Sequence, residues 1–302
     1  MRVLITGASG FIGVNLQPRL KRDGHEVIRF VRGNTDDAAA FSGPADLAAI
    51  SEWPSWPGGI DAVIHLAANN PVTSADIDRL HHDNVHATQA LTRRAVREHV
   101  PLIIFLSTAN VHAAESTDLV SEAGLIAPQS AYAESKLQAE QAFWSVLRQA
   151  GTTKGCVLRP APVYGRDGRG NMNRLVKIAK LPVPLPIKGL GARRSILSVD
   201  HLVDAIATCL VADVSGKTFL IADDGPLRPD EIVTALRAGW GRRPMLLPMP
   251  AGILNKILGR KPGLQAMFQT FVLDTRHAKQ DLGWCPVSSA QKLAQLAKAG
   301  DL

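Results

Sequence analysis

Met1-Arg-Val-Leu-Ile-Thr-Gly-Ala-Ser-Gly-Phe-Ile-Gly13 decides the fold. Val3 to Ile5 is a short, β-rich apolar run of the kind that forms a central parallel strand. Gly7, Gly10 and Gly13 follow at three-residue intervals, and helix-compatible residues from Phe11 to Lys21 end at Asp23-Gly24, a helix stop. A second strand, Glu26 to Val31, comes next. A strand, a tight turn and a helix N-terminus place backbone N–H groups and the positive end of the helix dipole beside an anion. Glycines there let the backbone approach a pyrophosphate with no Cβ in the way, so a dinucleotide is the expected ligand of Gly7, Gly10, Phe11, Ile12 and Gly13. The competing explanation is a glycine turn that only packs helix on strand.

The chain has 302 residues, 46% hydrophobic and 20% charged, enough for one large domain or two intimate ones. Cys156, Cys209 and Cys285 form no C-x-x-C, and their odd number argues against a disulfide framework, so a reducing cytoplasm is expected. The N-terminus does not resemble a signal peptide, and no apolar run approaches the roughly 18 to 20 residues that span a bilayer. A soluble protein with no membrane partner is the expectation. The net charge of +7 and pI near 9.5 raise nucleic acid as a partner. The basic residues read as dispersed, however, and no nucleic-acid motif is present, so steering of an anionic small molecule is the better account.

Trp53 to Gly59 is a turn-rich connection, and Asp61 to Ala68 reads as the fourth strand, with small residues at its end that leave room for a cofactor. His65 on it is expected to be a packed strand histidine. From Ala75 to Glu98 apolar residues recur at helical spacing, predicting one long or slightly broken helix. His82 and His86 share a face of it with Asp83 between them, but no third ligand is apparent, so no metal is expected. Pro101 to His112 reads as a further buried strand with hydroxyl residues at its C-terminal end, the edge where open α/β sheets bind ligands.

Tyr132-Ala-Glu-Ser-Lys136 opens a helix running through Gln149. Tyrosine and lysine four apart share one helical face, so the ammonium is expected to favour the phenol's anion. A phenol near pKa 10 needs a shift of about three units, roughly 4 kcal/mol, to act as a base at neutral pH.

The ordered set T-G-A-S-G-F-I-G, H-L-A-A, L-S-T-A-N-V-H, Y-A-E-S-K and L-R-P-A-P-V-Y-G (Leu158 to Gly165) resembles the extended short-chain dehydrogenases, specifically the NAD-dependent epimerase/dehydratase family acting on nucleotide sugars. Its wording is most similar to the short UDP-sugar 4-epimerases and 4-ketoreductases of polysaccharide gene clusters. The resemblance covers essentially the whole chain. It implies a Rossmann-type doubly wound parallel sheet, residues 1–163 rejoined by about 194–224, with a smaller substrate lobe of 164–193 and 225–302. It also implies a homodimer built on the Ala75 to Glu98 helix.

On that resemblance Thr108, Tyr132 and Lys136 are the catalytic set. Asp46-Leu47 lies beside the adenine; Leu66, Ala67, Ala68, Asn84, Pro160 and Val163 line the cofactor, as do Tyr132 and Lys136. Arg32 stands where NAD-specific relatives carry an acidic residue, and an arginine there neutralises the extra phosphate of NADP unless it is simply solvated. Substrate contacts fall on Thr108, Asn110, Asn171 in the Gly168 to Asn173 loop, and Arg194, whose guanidinium fork suits a diphosphate. Leu181 to Pro186 reads as a rigid proline link, and Thr218 to Ala222 as a strand returning to the sheet.

Departures are present: Pro162 replaces a substrate-contacting asparagine, His112 a common tyrosine, and the late R-x-G-D is missing, with Arg260 and Lys261 the nearest cations. Ala109-Asn110 fills the place of the dehydratase Asp-Glu pair, which disfavours 4,6-dehydration. The expected activity is hydride transfer at C4 of a UDP-sugar, as an epimerase of the UDP-glucose/UDP-GlcNAc type with NAD or NADP. The alternatives are an NADPH-dependent UDP-4-keto-6-deoxy-hexose 4-reductase and a non-catalytic dinucleotide-binding redox sensor.

Overall fold

The computed structural model describes residues 1–70, 76–113, 119–168, 171–189, 192–248 and 269–302. Strand β1 (Arg2–Thr6) is buried between β2 (Glu26–Arg32) and β4 (Ala62–His65), pairing parallel with both. With β3 (Ala40–Gly43), β5 (Leu102–Leu106), β6 (Lys154–Pro160) and β10 (Lys217–Ile221) they form a seven-stranded sheet in the order β10-β6-β5-β4-β1-β2-β3, parallel throughout. The chain runs outward from β1 to β3 and then crosses back to β4. The β1/β4 boundary is therefore the topological switch point, where a crevice opens at the strands' C-terminal ends.

Alternation along β1 divides the core. Val3 and Ile5 join Leu16 and Leu20 of α1 (Phe11–Arg22) and Leu202 and Ile206 of α6 (Val199–Cys209) on one face. Leu4, Val63, Ile103 and Phe105 meet Leu91 of α3 (Ala87–Arg97) and Phe143 of α4 (Ala131–Ala150) on the other. A third cluster stands apart from both. It packs α5 (Asn171–Lys180), α7 (Pro229–Gly239) and α9 (Ser289–Ala299) around Leu175, Val233 and Leu293. A short helix α8 (Arg276–Leu282) stops at Gly283 in the left-handed region.

Three readings of the chain need adjustment. The strand expected from Asp61 to Ala68 ends at His65: Leu66 N–H still donates to the Thr6 carbonyl, but Ala67 N–H turns to the Thr6 hydroxyl and the ladder stops. The strand expected from Pro101 to His112 ends at Leu106, because the Thr108 hydroxyl accepts the Asn110 N–H at 3.2 Å and starts a turn. The proline link is partly a strand. Leu185, flanked by prolines, keeps its N–H and donates to Met245, so β8 (Leu185–Lys188) pairs parallel with β11 (Leu246–Pro248). The predicted long helix is α2 (Ile77–Leu80), a π-turn over His81–His86, and α3; Ala75 lies outside the described residues. No described helix is long and apolar enough to cross a membrane.

Candidate active site

A cleft of about 1330 Å³ opens at the switch point, and Gly7, Gly10, Arg32, Asp46, Leu47, Leu66, Ala67 and Ala68 all line it. Two of the glycines are required by the fold. At Gly7, with φ +70°, a Cβ would stand 2.7 Å from the Ala67 nitrogen, and at Gly13 it would stand 2.4 Å from the Gly7 carbonyl oxygen. Gly10 is different: its nearest obstacle is 3.2 Å away, so its missing side chain serves mainly to leave the cleft open. Gly10 also caps α1 without a side-chain acceptor, and the first turn holds no acid. The helix thus presents bare N–H groups and positive dipole to the cleft, which fits the pyrophosphate of a dinucleotide. Arg32 is exposed at the end of β2, whereas Asp46 caps a 3₁₀ turn through Ala48 N–H (2.9 Å) and pairs with His82 at 2.8 Å.

One buried hydrogen-bond chain links this cleft to the helix of Tyr132. The Thr88 hydroxyl donates to the Asn84 carbonyl (2.6 Å), so its oxygen accepts from His65 Nε2 (3.0 Å). His65 Nδ1 is then the bare nitrogen, accepting from the Thr6 hydroxyl at 2.7 Å. Asn84 takes the Asn69 N–H on its Oδ1 (2.7 Å) and donates through Nδ2 to the Asn69 carbonyl (3.0 Å) and the Ser135 hydroxyl (2.8 Å). Ser135 in turn donates to the Tyr132 carbonyl at 2.8 Å. Asn84, expected beside a cofactor, is a buried clamp between the cleft wall and α4.

Tyr132 and Lys136 occupy the first turns of α4, whose start is fixed by Ser130 accepting the Ala133 N–H. Burial pushes the Tyr132 phenol up to about 12. Burial also brings the Lys136 ammonium down to about 7, with Glu140 pulling the other way. The lysine-driven lowering of the phenol expected from the spacing is therefore not seen: burial alone acts on the phenol, and the Lys136 ammonium lies over the Phe105 ring, 4.1 Å from its centroid. Thr108 is buried with its oxygen engaged by Asn110 N–H, and its own O–H proton has no acceptor among the described residues.

Behind these residues Glu140 accepts from Ser107 and from both Nε and Nη2 of Arg159, the latter at 2.6 Å. Arg159 Nη1 donates to His112 Nε2 at 3.0 Å. Burial and the Arg159 charge hold His112 down to about 4, and its Nδ1 is buried with no hydrogen-bond partner among the described residues. Asn69, Ser135, Glu140 and Arg159 were not anticipated. Ser135 lies three residues after Tyr132 and Glu140 four after Lys136 on α4, helical spacings that could have found them.

Not every expected contact gathers at the cleft. Phe11, Ile12 and Val163 pack against the core cluster of β1, Asn84 lies behind the wall, and Pro160 closes β6 opposite Ile221. Thr108, Tyr132 and Lys136 are not among the lining residues either. Asn110 is exposed, Asn171 opens α5, and Arg194 donates to the Gln269 carbonyl (3.2 Å) and stacks on Phe271, its pKa brought down to about 10 by burial. Pro162 accepts the Leu197 N–H that holds β7 (Val163–Tyr164) to β9 (Leu197–Ser198). Arg169, Gly170, Arg260 and Lys261 lie outside the described residues. Among the described residues no group of three or more His, Cys, Asp or Glu could hold a metal.

A model of the NAD dependent epimerase/dehydratase family matches residues 3–222. The UDP-glucose 4-epimerase of Vibrio cholerae is 27% identical over 312 positions, 96% of this chain and 92% of its own length. The UDP-N-acetylglucosamine 4-epimerase from Bacillus cereus shares the fold, with a TM-score of 0.78 at 22% identity over 99% of this chain and 97% of that one. A structure of MoeE5 in complex with UDP-glucuronic acid and NAD gives 0.75 at 25% identity, covering 99% and 98%.

Proposed function

The chain belongs to the NAD-dependent epimerase/dehydratase family, and from that premise we propose that this enzyme inverts C4 of the hexose of a UDP-sugar, of the UDP-glucose or UDP-GlcNAc type. The observation that carries the reading is Tyr132 and Lys136 on one face of α4, tied through Ser135, Asn84 and Asn69 to a glycine cradle at the sheet's switch point. The dinucleotide of this family, bound in that cradle, supplies a hydride acceptor and donor.

The chain's own residues handle protons and position. Tyr132 takes the proton of the C4 hydroxyl and returns it, while Thr108 donates its free O–H to the same oxygen. Burial favours the uncharged form of each group taken alone, and Lys136, one turn along the same helix, would hold the nicotinamide ribose of the dinucleotide. On the same reading residues 1–163, rejoined by 194–224, hold the dinucleotide, and 164–193 with 225–302 hold the nucleotide sugar, with Asn110, Asn171 and Arg194 as its contacts.

A second reading, an NADPH-dependent 4-keto-6-deoxy-hexose reductase, is favoured by Arg32, exposed in the cleft with no ion pair among the described residues. Denaturing the purified protein and identifying the released dinucleotide separates them. Retained NAD supports epimerisation, and an empty site that takes up NADPH supports reduction. Tyr132→Phe is expected to abolish turnover and keep dinucleotide binding; unchanged turnover would remove Tyr132 as the base, and a wild-type protein that binds dinucleotide and turns over no UDP-sugar would leave the sensor reading.

A further inference from the structure

The positive charge of this protein is segregated. Residues 168–199 and 232–273 carry seven and six of the 34 Lys and Arg and none of the 27 Asp and Glu, so the rest of the chain is net acidic. This corrects the impression of dispersed basic residues. The described parts of both stretches fold largely into the second lobe, and there they meet.

The meeting point is Arg237. Its buried guanidinium donates to the carbonyls of Ala179 (3.1 Å), Leu181 and Val183 (2.9 Å each), Met245 (3.3 Å) and Pro244. Arg242 donates to the Lys180 carbonyl at 2.9 Å. With the backbone gathered inward on one cation, the side chains of Leu181 (50% exposed), Val183 (46%), Met245 (46%) and Leu247 (51%) are left in solvent side by side. Lys177 precedes Leu181 by one helical turn, Lys188 pairs with Pro248 beside Leu247, and Arg243 lies two residues before Met245; all three are exposed and make no ion pair among the described residues.

Aliphatic side chains interleaved with uncompensated cations match one surface better than others. A second copy of this chain would set like charges against each other. A single-stranded nucleic acid calls for free aromatic faces, and Trp240 here is covered by Lys180 (5.7 Å) and Arg242 (5.8 Å); a duplex would engage the cations alone and leave the exposed aliphatic groups unburied. At an anionic bilayer the aliphatic groups enter the headgroup boundary and the cations meet phosphates. We propose that this face of the second lobe docks the enzyme on an anionic phospholipid bilayer. The contact is peripheral, and it replaces the expectation of no membrane partner. The face shares no residue with the dinucleotide cleft, so this proposal and the assigned activity stand or fall separately.

The test is co-sedimentation of the full chain with vesicles of phosphatidylcholine alone or mixed with phosphatidylglycerol. Binding to the mixed vesicles and not to the neutral ones is expected. Lys177→Gln with Arg243→Gln should lower the partition roughly 10- to 30-fold, about fivefold per cation. Leu181→Ser with Leu247→Ser should weaken binding at unchanged charge, and both doubles should keep the wild-type circular dichroism, melting temperature and kcat/KM on a soluble UDP-sugar. Four results would overturn the proposal: no binding to anionic vesicles, equal binding to neutral ones, vesicle binding that neither double reduces, or duplex DNA captured as well as vesicles with the leucine double indifferent. A drop in kcat/KM of the charge double with vesicle binding intact would instead assign these cations to substrate steering.

Discussion

Two groups whose proton affinity the fold has lowered meet the ring of Phe105. His65 stacks on it at 5.3 Å and Lys136 lies over it. Burial, helped by the Lys136 charge, holds His65 down to about 3, so it stays neutral in the tautomer that the Thr6 and Thr88 bonds require. For Lys136 the sign follows from the unfolded chain binding its proton up to about 10.5 and the folded one only to about 7. The unfolded state holds the extra proton between those values, so folding stability rises with pH across that window and is lost as pH falls through it. Urea unfolding of the apoprotein at pH 7.5 to 9 is expected to show an increment near 1.4 kcal/mol per pH unit from this one proton, absent in Lys136→Met. Tyr-x-x-x-Lys was legible as a spacing, but the protonation of its members was not, because it depends on Phe105 and Glu140 packed around them rather than on each other.

Helix α4, which carries Tyr132 and Lys136, is held by a neighbour that its own sequence does not show. The π-turn at His81–His86 turns Asn84 inward, where its amide spans Asn69 and Ser135. Asn84→Ala leaves those buried groups unpaired and should cost about 1 to 3 kcal/mol in thermal or chemical unfolding. It should also weaken dinucleotide binding in calorimetry, since Asn69 lines the cleft; unchanged affinity would show that the clamp is merely structural. Helix periodicity announced an element from Ala75 to Glu98 yet could not register the one-residue widening of a π-turn within it. The strand ends at His65 and Leu106 were overrun for a related reason. Apolar pattern continues past the point where a threonine side chain takes over the backbone's hydrogen bond.

Across the whole molecule, sequence order and spatial order disagree. The doubly wound sheet was legible from the first strand–turn–helix unit, and the return of β10 to β6 from its apolar run. What no motif announced is that the core of the first strands also takes Phe271, Leu273, Ala278, Leu282 and Trp284, from within the stretch expected to belong to the second lobe. Trp284 Nε1 donates to the His201 carbonyl of α6 at 3.1 Å. A fragment of residues 1–222, the extent matched by the family, therefore lacks part of its own core. It is expected to lose near-UV circular dichroism and bind ANS, whereas a fragment that melts cooperatively would show those late residues to be dispensable.

The last strand of the sheet is also the last to be synthesised, and this has a price in time. Once β6 has left the ribosome, the chain must emerge from Pro160 to Lys217 before β10 can cover it. At elongation rates of about 5–20 residues per second, that exposes a bare apolar strand edge for several seconds. During those seconds the unpaired edge of β6 is open to pairing with a neighbouring polypeptide.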